Sequence, residues 1–178
     1  MARELIITMA AANRAGILAA VTKAMSELGG DLREASQTVV RGFFTMIFST
    51  EFPDSIDQSV VRDHLQDACR PFGIELGIRE ASSQLLTHCA TNAGTKQFRL
   101  RIGGRNQPGA LLRLSQMMSM KGIDITGMHA VRTEEGSAFE MVLKLAVPLD
   151  CTIESLLHDL ENAGREFEIT ADLREYGE

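Results

Sequence analysis

The sequence predicts an α+β protein made of two copies of one βαββαβ unit. Three observations carry that expectation. Shifting the chain by 93 residues, Asn13 onto Asn106, also lays Gly16, Leu18, Met25, Ser26, Gly29 and Asp31 on Gly109, Leu111, Met118, Ser119, Gly122 and Asp124. That is seven identities in the nineteen ungapped positions from Asn13 to Asp31, which marks an internal duplication. In each half, stretches with apolar residues at every second position alternate with stretches at helical spacing. The order of these stretches is the same in both halves.

Each unit opens on a strand. Leu5, Ile7 and Met9 alternate with other residues, as do Phe98, Leu100 and Ile102, so one strand face is buried. A first helix follows, with Leu18, Val21, Met25 and Leu28 on one stripe, and Leu111, Leu114 and Met118 on its counterpart. Gly29 and Gly122 stand where a helix C-terminus favours a residue tolerant of positive φ. Second strands are expected over 32–40 and 125–133. Turns at Arg41-Gly42 and Glu134-Glu135-Gly136 then lead into third strands over 43–50 and 138–147. On these, Phe44, Met46 and Phe48 share a face, as do Phe139, Met141 and Leu143.

The second helices carry Val61, Leu65, Ala68 and Phe72, and Ile153, Leu156, Leu157 and Leu160, and each ends near a glycine, Gly73 or Gly164. Fourth strands over 74–78 and 167–173 close the units. This order predicts a four-stranded antiparallel sheet with both helices on one face. The domain reading is 1–81 for the first unit, 82–96 for a linker rich in small polar residues, and 97–178 for the second unit. Such a unit leaves one sheet face and its edges uncovered, and so tends to pair edge to edge.

Composition removes several function classes. The net charge is −6 and the pI about 5.3, so no long-range field draws the chain to nucleic-acid phosphates. The sequence shows no dense Lys/Arg cluster, and with 5% aromatics, no Trp and only Tyr176 as tyrosine, it offers few platforms for stacking. Direct nucleic-acid binding is not expected. No apolar run approaches the roughly 20 residues of a membrane helix, and the N-terminus lacks a signal-peptide core. A cytoplasmic protein is expected. Cys69, Cys89 and Cys151 are odd in number and lack CxxC spacing, which reads as reduced thiols. His64, His88, His129 and His158 form no local ligand pair with them, so neither a metal nor another cofactor is expected.

The stretch Gly103-Gly104-Arg105-Asn106-Gln107-Pro108-Gly109-Ala110 is glycine-rich and lies between a strand and a helix, as phosphate loops do. It lacks the lysine and Ser/Thr that a nucleotide loop uses, and no GxGxxG, HExxH or GxSxG motif occurs elsewhere. No enzyme is expected. The duplicated turn suits a smaller guest. Backbone N–H groups of Gly16 and Ile17, or of Gly109 and Ala110, sit at a helix N-terminus and fit a carboxylate. Asn13 and Asn106 both donate and accept, and the glycines permit close approach. The competing reading is helix-start chemistry alone, with the asparagines as caps. Asp31 and Asp124 read as turn residues, His129 as a half-exposed strand residue, and Met117, Met118 and Met120 as core filling.

The element order, Asn13-Arg14-Ala15-Gly16 and Asn106-Gln107-Pro108-Gly109 ahead of the first helices, and Gly29-Gly30-Asp31 and Gly122-Ile123-Asp124 behind them resemble the ACT domain. The resemblance covers nearly the whole chain as two ferredoxin-like ACT units in tandem. That bare tandem is similar to the glycine cleavage system transcriptional repressor family. The family's usual turn is Asp-Arg-Pro-Gly, so Asn13 and Ala15 depart from it, and the neutral Asn13 offers an ammonium group no opposite charge.

The resemblance implies a non-enzymatic regulator that binds an amino acid, glycine or serine first, at interfaces between paired ACT units. Asn13, Arg14, Gly16, Ile17, Asn106, Gln107, Gly109 and Ala110 would form the ligand sites. It further implies a dimer or other homo-oligomer and a regulated protein partner, with transcriptional control of glycine or one-carbon metabolism exerted through that partner. The alternative is an interaction module with no live ligand site.

Overall fold

The computed structural model describes residues 3–81, 94–105, 107–132 and 137–176. The chain divides into two units, Met1–Leu86 and Thr87–Glu178. The first runs β1 (Arg3–Ala12), α1 (Ile17–Glu27), β2 (Asp31–Val40), β3 (Phe43–Phe52), α2 (Gln58–Cys69) and β4 (Glu75–Glu80). The second runs β5 (Thr95–Arg105), α3 (Ala110–Met120), β6 (Asp124–Arg132), β7 (Ala138–Pro148), α4 (Ile153–Phe167) and β8 (Ile169–Glu175). The sheet orders are β2-β3-β1-β4 and β6-β7-β5-β8, with every pair antiparallel. This is the predicted α+β, ferredoxin-like βαββαβ architecture, twice.

The alternation in the strands decides which sheet face is buried. Leu5, Ile7 and Met9 on β1 and Phe44, Met46 and Phe48 on β3 pack against Val21 and Met25 of α1 and Val61 and Leu65 of α2. Phe98, Leu100, Ile102, Met141, Leu143 and Leu145 do the same beneath Leu114, Met118, Leu156 and Leu160. Each such side chain, fully buried, contributes about 1.5–3 kcal/mol.

The duplication reaches into backbone detail. Both first helices end in a Schellman motif: Gly29 and Gly30 donate to Ser26 and Met25, and Gly122 and Ile123 to Ser119 and Met118. The two capping glycines have φ of 69° and 67°. Both second strands carry a bulge at the same place, between Leu32 and Glu34 and between Ile125 and Gly127. Arg41 and Gly42, both at positive φ, form the two-residue turn that joins β2 to β3.

The structure corrects several details. β5 runs on through Gly103 and Gly104 to Arg105, so these glycines are strand and not loop. A Cβ on Gly104 would lie 2.4 Å from the Glu168 carbonyl oxygen, and the glycine is what lets β8 come alongside. Thr95 and Lys96, read as the end of the linker, open β5 instead; residues 82–93, with His88 and Cys89, lie outside the described residues, as does the turn Glu134-Glu135-Gly136.

Gly164 does not end the last helix. It lies inside α4, where a Cβ would meet the Ile169 carbonyl oxygen at 2.8 Å, and the helix closes at Glu168 with φ 51°. Phe72 falls in a 3-10 turn (Arg70–Phe72) after α2, closed by Gly73. Leu18, Leu111 and Leu157 are exposed because the buried stripes centre on their neighbours, Ile17 and Val21, Ala110 and Leu114, and Leu156 and Leu160. Met117 and Met118 fill the core, whereas Met120 is exposed. His129 is exposed on β6.

Candidate functional site

The turns ahead of α1 and α3 share one geometry. Gly16 stands at the N-cap of α1 with φ 96° and ψ −13°, and Gly109 at that of α3 with φ 92° and ψ −16°. Among the described residues neither helix has a side-chain cap. The cap position thus belongs to glycine and not to Asn13, whose backbone N–H donates to the Gly42 carbonyl at 2.7 Å. The first intrahelical bond of α1 runs from the Ala20 N–H to the Gly16 carbonyl at 2.9 Å. Among the described residues the N–H groups of Ile17, Leu18 and Ala19 have no backbone acceptor, at the positive end of the helix dipole.

Side chains around this turn divide by role. Asn13, Arg14 and Gly16 are exposed, and Arg14 makes no ion pair among the described residues. Ile17 and Ala110 are buried, so only their main chains face the turn. In the second unit Asn106 lies outside the described residues; Gln107 is half-buried and its carbonyl accepts the Ala110 N–H at 3.4 Å.

The sequence reading missed two residues at these turns. The Phe72 ring stands 3.5 Å from where a Gly16 Cβ would be, and the Phe167 ring stands 3.8 Å from the same point on Gly109. Each half-buried ring walls its glycine turn. The signal was present, since Phe167 ends the second helix of its unit and Phe72 ends the 3-10 turn that follows the second helix of its own.

Charge separates the two turns. The second is flanked by ion pairs from Arg105 to Glu168 at 3.2 Å and from Arg113 to Glu166 at 3.8 Å. The first unit has Ala12 and Ala20 at the positions of those arginines. A second candidate surface lies on the open face of the first sheet. There a concavity of about 610 Å³ is lined by Thr8, Ser36, Thr38, Thr45, Ile47 and Glu75 among others. Its floor is shallow in side chain because Ala10 and Gly77 supply almost none.

Among the described residues no three His, Cys, Asp or Glu side chains gather as a metal site would need. Burial pushes the Cys69 thiol above its usual pKa, which disfavours the reactive thiolate. Among the described residues no helix is long and apolar enough to cross a membrane.

Comparison with known proteins places this geometry. No family model matches the chain. An unknown protein from Galdieria sulphuraria superposes with a TM-score of 0.83 at 19% identity, covering 99% of this chain and all of that one. A candidate glycine cleavage system transcriptional repressor superposes with a TM-score of 0.71 at 13% identity, covering 100% and 99%. Both likenesses extend over the full tandem of βαββαβ units, and at these identities they concern the fold.

Sequence relatives are shorter. A UPF0237 protein of Corynebacterium diphtheriae is 36% identical over 63 residues, 35% of this chain and 71% of its own length. One of Methanosarcina acetivorans is 32% identical over 75 residues, 42% of this chain and 82% of its own length. Each match has the length of a single unit, and by this similarity the chain belongs to the UPF0237 family.

Proposed function

We propose that the protein is a non-enzymatic regulator that binds an amino acid at the glycine turn before the first helix of each unit and so alters the activity of a partner protein. The observation that carries the reading is the free donor set at the N-terminus of α1. Three N–H groups without a partner among the described residues, the exposed Asn13 amide and Arg14, which makes no ion pair among them, surround a left-handed glycine walled by Phe72. A carboxylate is the guest that such donors suit, and Asn13 can take the ammonium end as an acceptor. Arg14 of the first turn and Gln107 of the second would add side-chain contacts to the main-chain donors of Gly16, Ile17 and Gly109, and the Ala110 N–H would join them by giving up its long 3.4 Å bond to the Gln107 carbonyl.

In this proposal each turn is half of a site, completed when units pair. The edge strand β2 is exposed along its whole length, with Leu32, Val39 and Val40 among its residues, and Leu18 and Leu111 are exposed at matching places on α1 and α3. Edges and faces of that kind favour homo-oligomers. Glycine and serine are the first ligands to test, given the likeness to a candidate repressor of the glycine cleavage system, and a role in transcription would run through the partner in the cytoplasm. The test is calorimetry on ligand-stripped protein against the standard amino acids. A stoichiometric heat for glycine or serine, abolished by Gly16→Val with Gly109→Val in a variant that keeps its circular dichroism, is expected. No heat from any amino acid would refute the sensor.

The second reading is an interaction module whose turns bind nothing. It is favoured by Asn13 standing where a carboxylate would hold an ammonium group. It predicts oligomers whose mass is unchanged by every amino acid.

A further inference from the structure

The open face of the second sheet carries a cluster of cations that the sequence disperses over 76 positions. Because Phe98, Leu100 and Ile102 are buried, Arg99 and Arg101 point to the opposite, helix-free face, where both are exposed. Strand register places Lys144 of β7 and Arg174 of β8 directly beside Arg99, one on each side. Asp172 lies beside Arg101, and His129 of β6 ends that row beyond Val142.

Neutralisation within the face is sparse. Arg174 pairs with Asp172 at 2.9 Å, and the Arg99 guanidinium lies 5.4 Å from the centre of the Tyr176 ring. Among the described residues no carboxylate lies within ion-pair distance of Arg99, Arg101 or Lys144.

The fold does not ask for these charges. The first unit builds the same sheet with Ile6 at the position of Arg99, Thr8 at that of Arg101 and Ser49 at that of Lys144. Only Arg79, beside Ile6, repeats a cation. The helix-facing side of the duplicated unit kept its character while this side diverged. Like charges set directly opposite one another also cost stability, so the row Arg174–Arg99–Lys144 is a burden that the folded unit carries.

We propose that this face of the second unit is a docking surface for an acidic protein segment in extended conformation. With strands about 4.8 Å apart, the row of three spans about 10 Å, and Arg101 lies about 7 Å from Arg99 along β5. An extended segment presents alternate side chains at that same spacing of about 7 Å, so two carboxylates on one of its faces meet Arg99 and Arg101 together, with Lys144 and Arg174 flanking. Asp172 and Glu140 border the patch and fix its extent.

A nucleic acid fits less well. None of the outward residues of the two central strands, Arg99, Arg101, Gly103, Glu140, Val142 and Lys144, is aromatic, and the Tyr176 ring at the edge of the patch already lies against the Arg99 guanidinium, so successive bases find little platform for stacking. The surface lies on the helix-free face of the second sheet, whereas Gly109 caps α3 on the helical side, and it does not require that an amino acid be sensed.

The test is fluorescence anisotropy of a labelled oligoglutamate peptide with the full chain, at low and at high salt, beside labelled poly(U) RNA. Binding that weakens with salt is expected, and the variant Arg101→Glu/Lys144→Glu should lose roughly tenfold in affinity. Lys23→Glu/Arg70→Glu, the same charge change on the exposed surface of the first unit, should leave it unchanged, and the charge-keeping Arg101→Lys/Lys144→Arg should retain it. Should the reversed variant fail to fold, Arg101→Gln/Lys144→Gln reads the same loss. The melting temperature of Lys144→Gln is expected to rise as the repulsion is relieved. No oligoglutamate binding, equal loss in both charge-reversed variants, tighter binding of poly(U), or a lowered melting temperature for Lys144→Gln would each overturn the proposal. A calorimetric blank for amino acids together with oligoglutamate binding would refute the sensor while leaving this surface intact.

Discussion

Thr50 is fully buried in the first unit, and its Oγ1 has no hydrogen-bond partner among the described residues. It sits on β3 between Leu5 of β1 and Leu32 of β2, so apolar neighbours flank the hydroxyl on both sides. At the same register in the second unit, Leu145 lies between Phe98 and Ile125, and the slot there is wholly apolar. A buried hydroxyl left unpaired costs about 1–3 kcal/mol. Valine keeps the shape of threonine and replaces the hydroxyl with a methyl, so Thr50→Val should stabilise the first unit by about 1–3 kcal/mol.

For a unit of this size 1 kcal/mol corresponds to about 4–8 °C in midpoint. Differential scanning calorimetry is the assay, because two units can melt as two transitions and only one should move. Thr50→Ser, which keeps the hydroxyl and deletes the methyl, should lower that same transition. A Thr50→Val variant no more stable than the parent would mean that the hydroxyl is satisfied, and the account of this slot would fail.

Two further outcomes are expected. Gly16→Ala and Gly109→Ala should each cost about 1–2 kcal/mol, since L residues are strained at φ of 96° and 92° whereas the Cβ itself meets only ordinary contacts with Phe72 and Phe167; urea denaturation measures it, and unchanged midpoints would place the turns elsewhere. Asp57 caps α2 by accepting from the Ser59 N–H at 2.9 Å and from its hydroxyl, and these bonds hold its carboxyl below the usual carboxylate value. Its contribution is therefore full above the unfolded pKa near ~3.9 and fades as the pH falls through the lowered folded value. The gap in urea midpoint between the parent and Asp57→Asn should close on acidification, and a gap that widens would contradict the cap.

The sequence carried the fold well because its signals are local and occur twice. Leu5, Ile7 and Met9 show their alternation within five residues, and the match of Gly16 and Gly29 to Gly109 and Gly122 exposes both ends of the first helices. The misread residues are those whose role depends on a distant neighbour. Gly104 and Gly164 look like loop and cap glycines until the Glu168 and Ile169 carbonyls are found against them. Leu18 and Leu157 satisfy helical spacing yet lie outside the buried sector, a difference of one position on the helix that hydrophobicity does not encode. At the candidate site the glycine turns were legible, but Phe72 and Phe167, brought in by the second helix, were not. The cation face was invisible for the same reason, since Arg99, Lys144 and Arg174 become neighbours only through strand register.

The bond from the Asn13 N–H to the Gly42 carbonyl fastens the glycine turn of the first unit to the tip of the β2–β3 hairpin. Turn and hairpin tip therefore move as one lever, with β2 as its free arm. Any strand that aligns along β2 would stiffen that arm and fix where Asn13 stands. Conversely, a guest gripping the turn would quiet the edge before a second strand arrives. Under the proposed function, occupancy of the turn and assembly along β2 would thus be linked through this 2.7 Å contact and the adjoining pairing of Ala12 with Phe43.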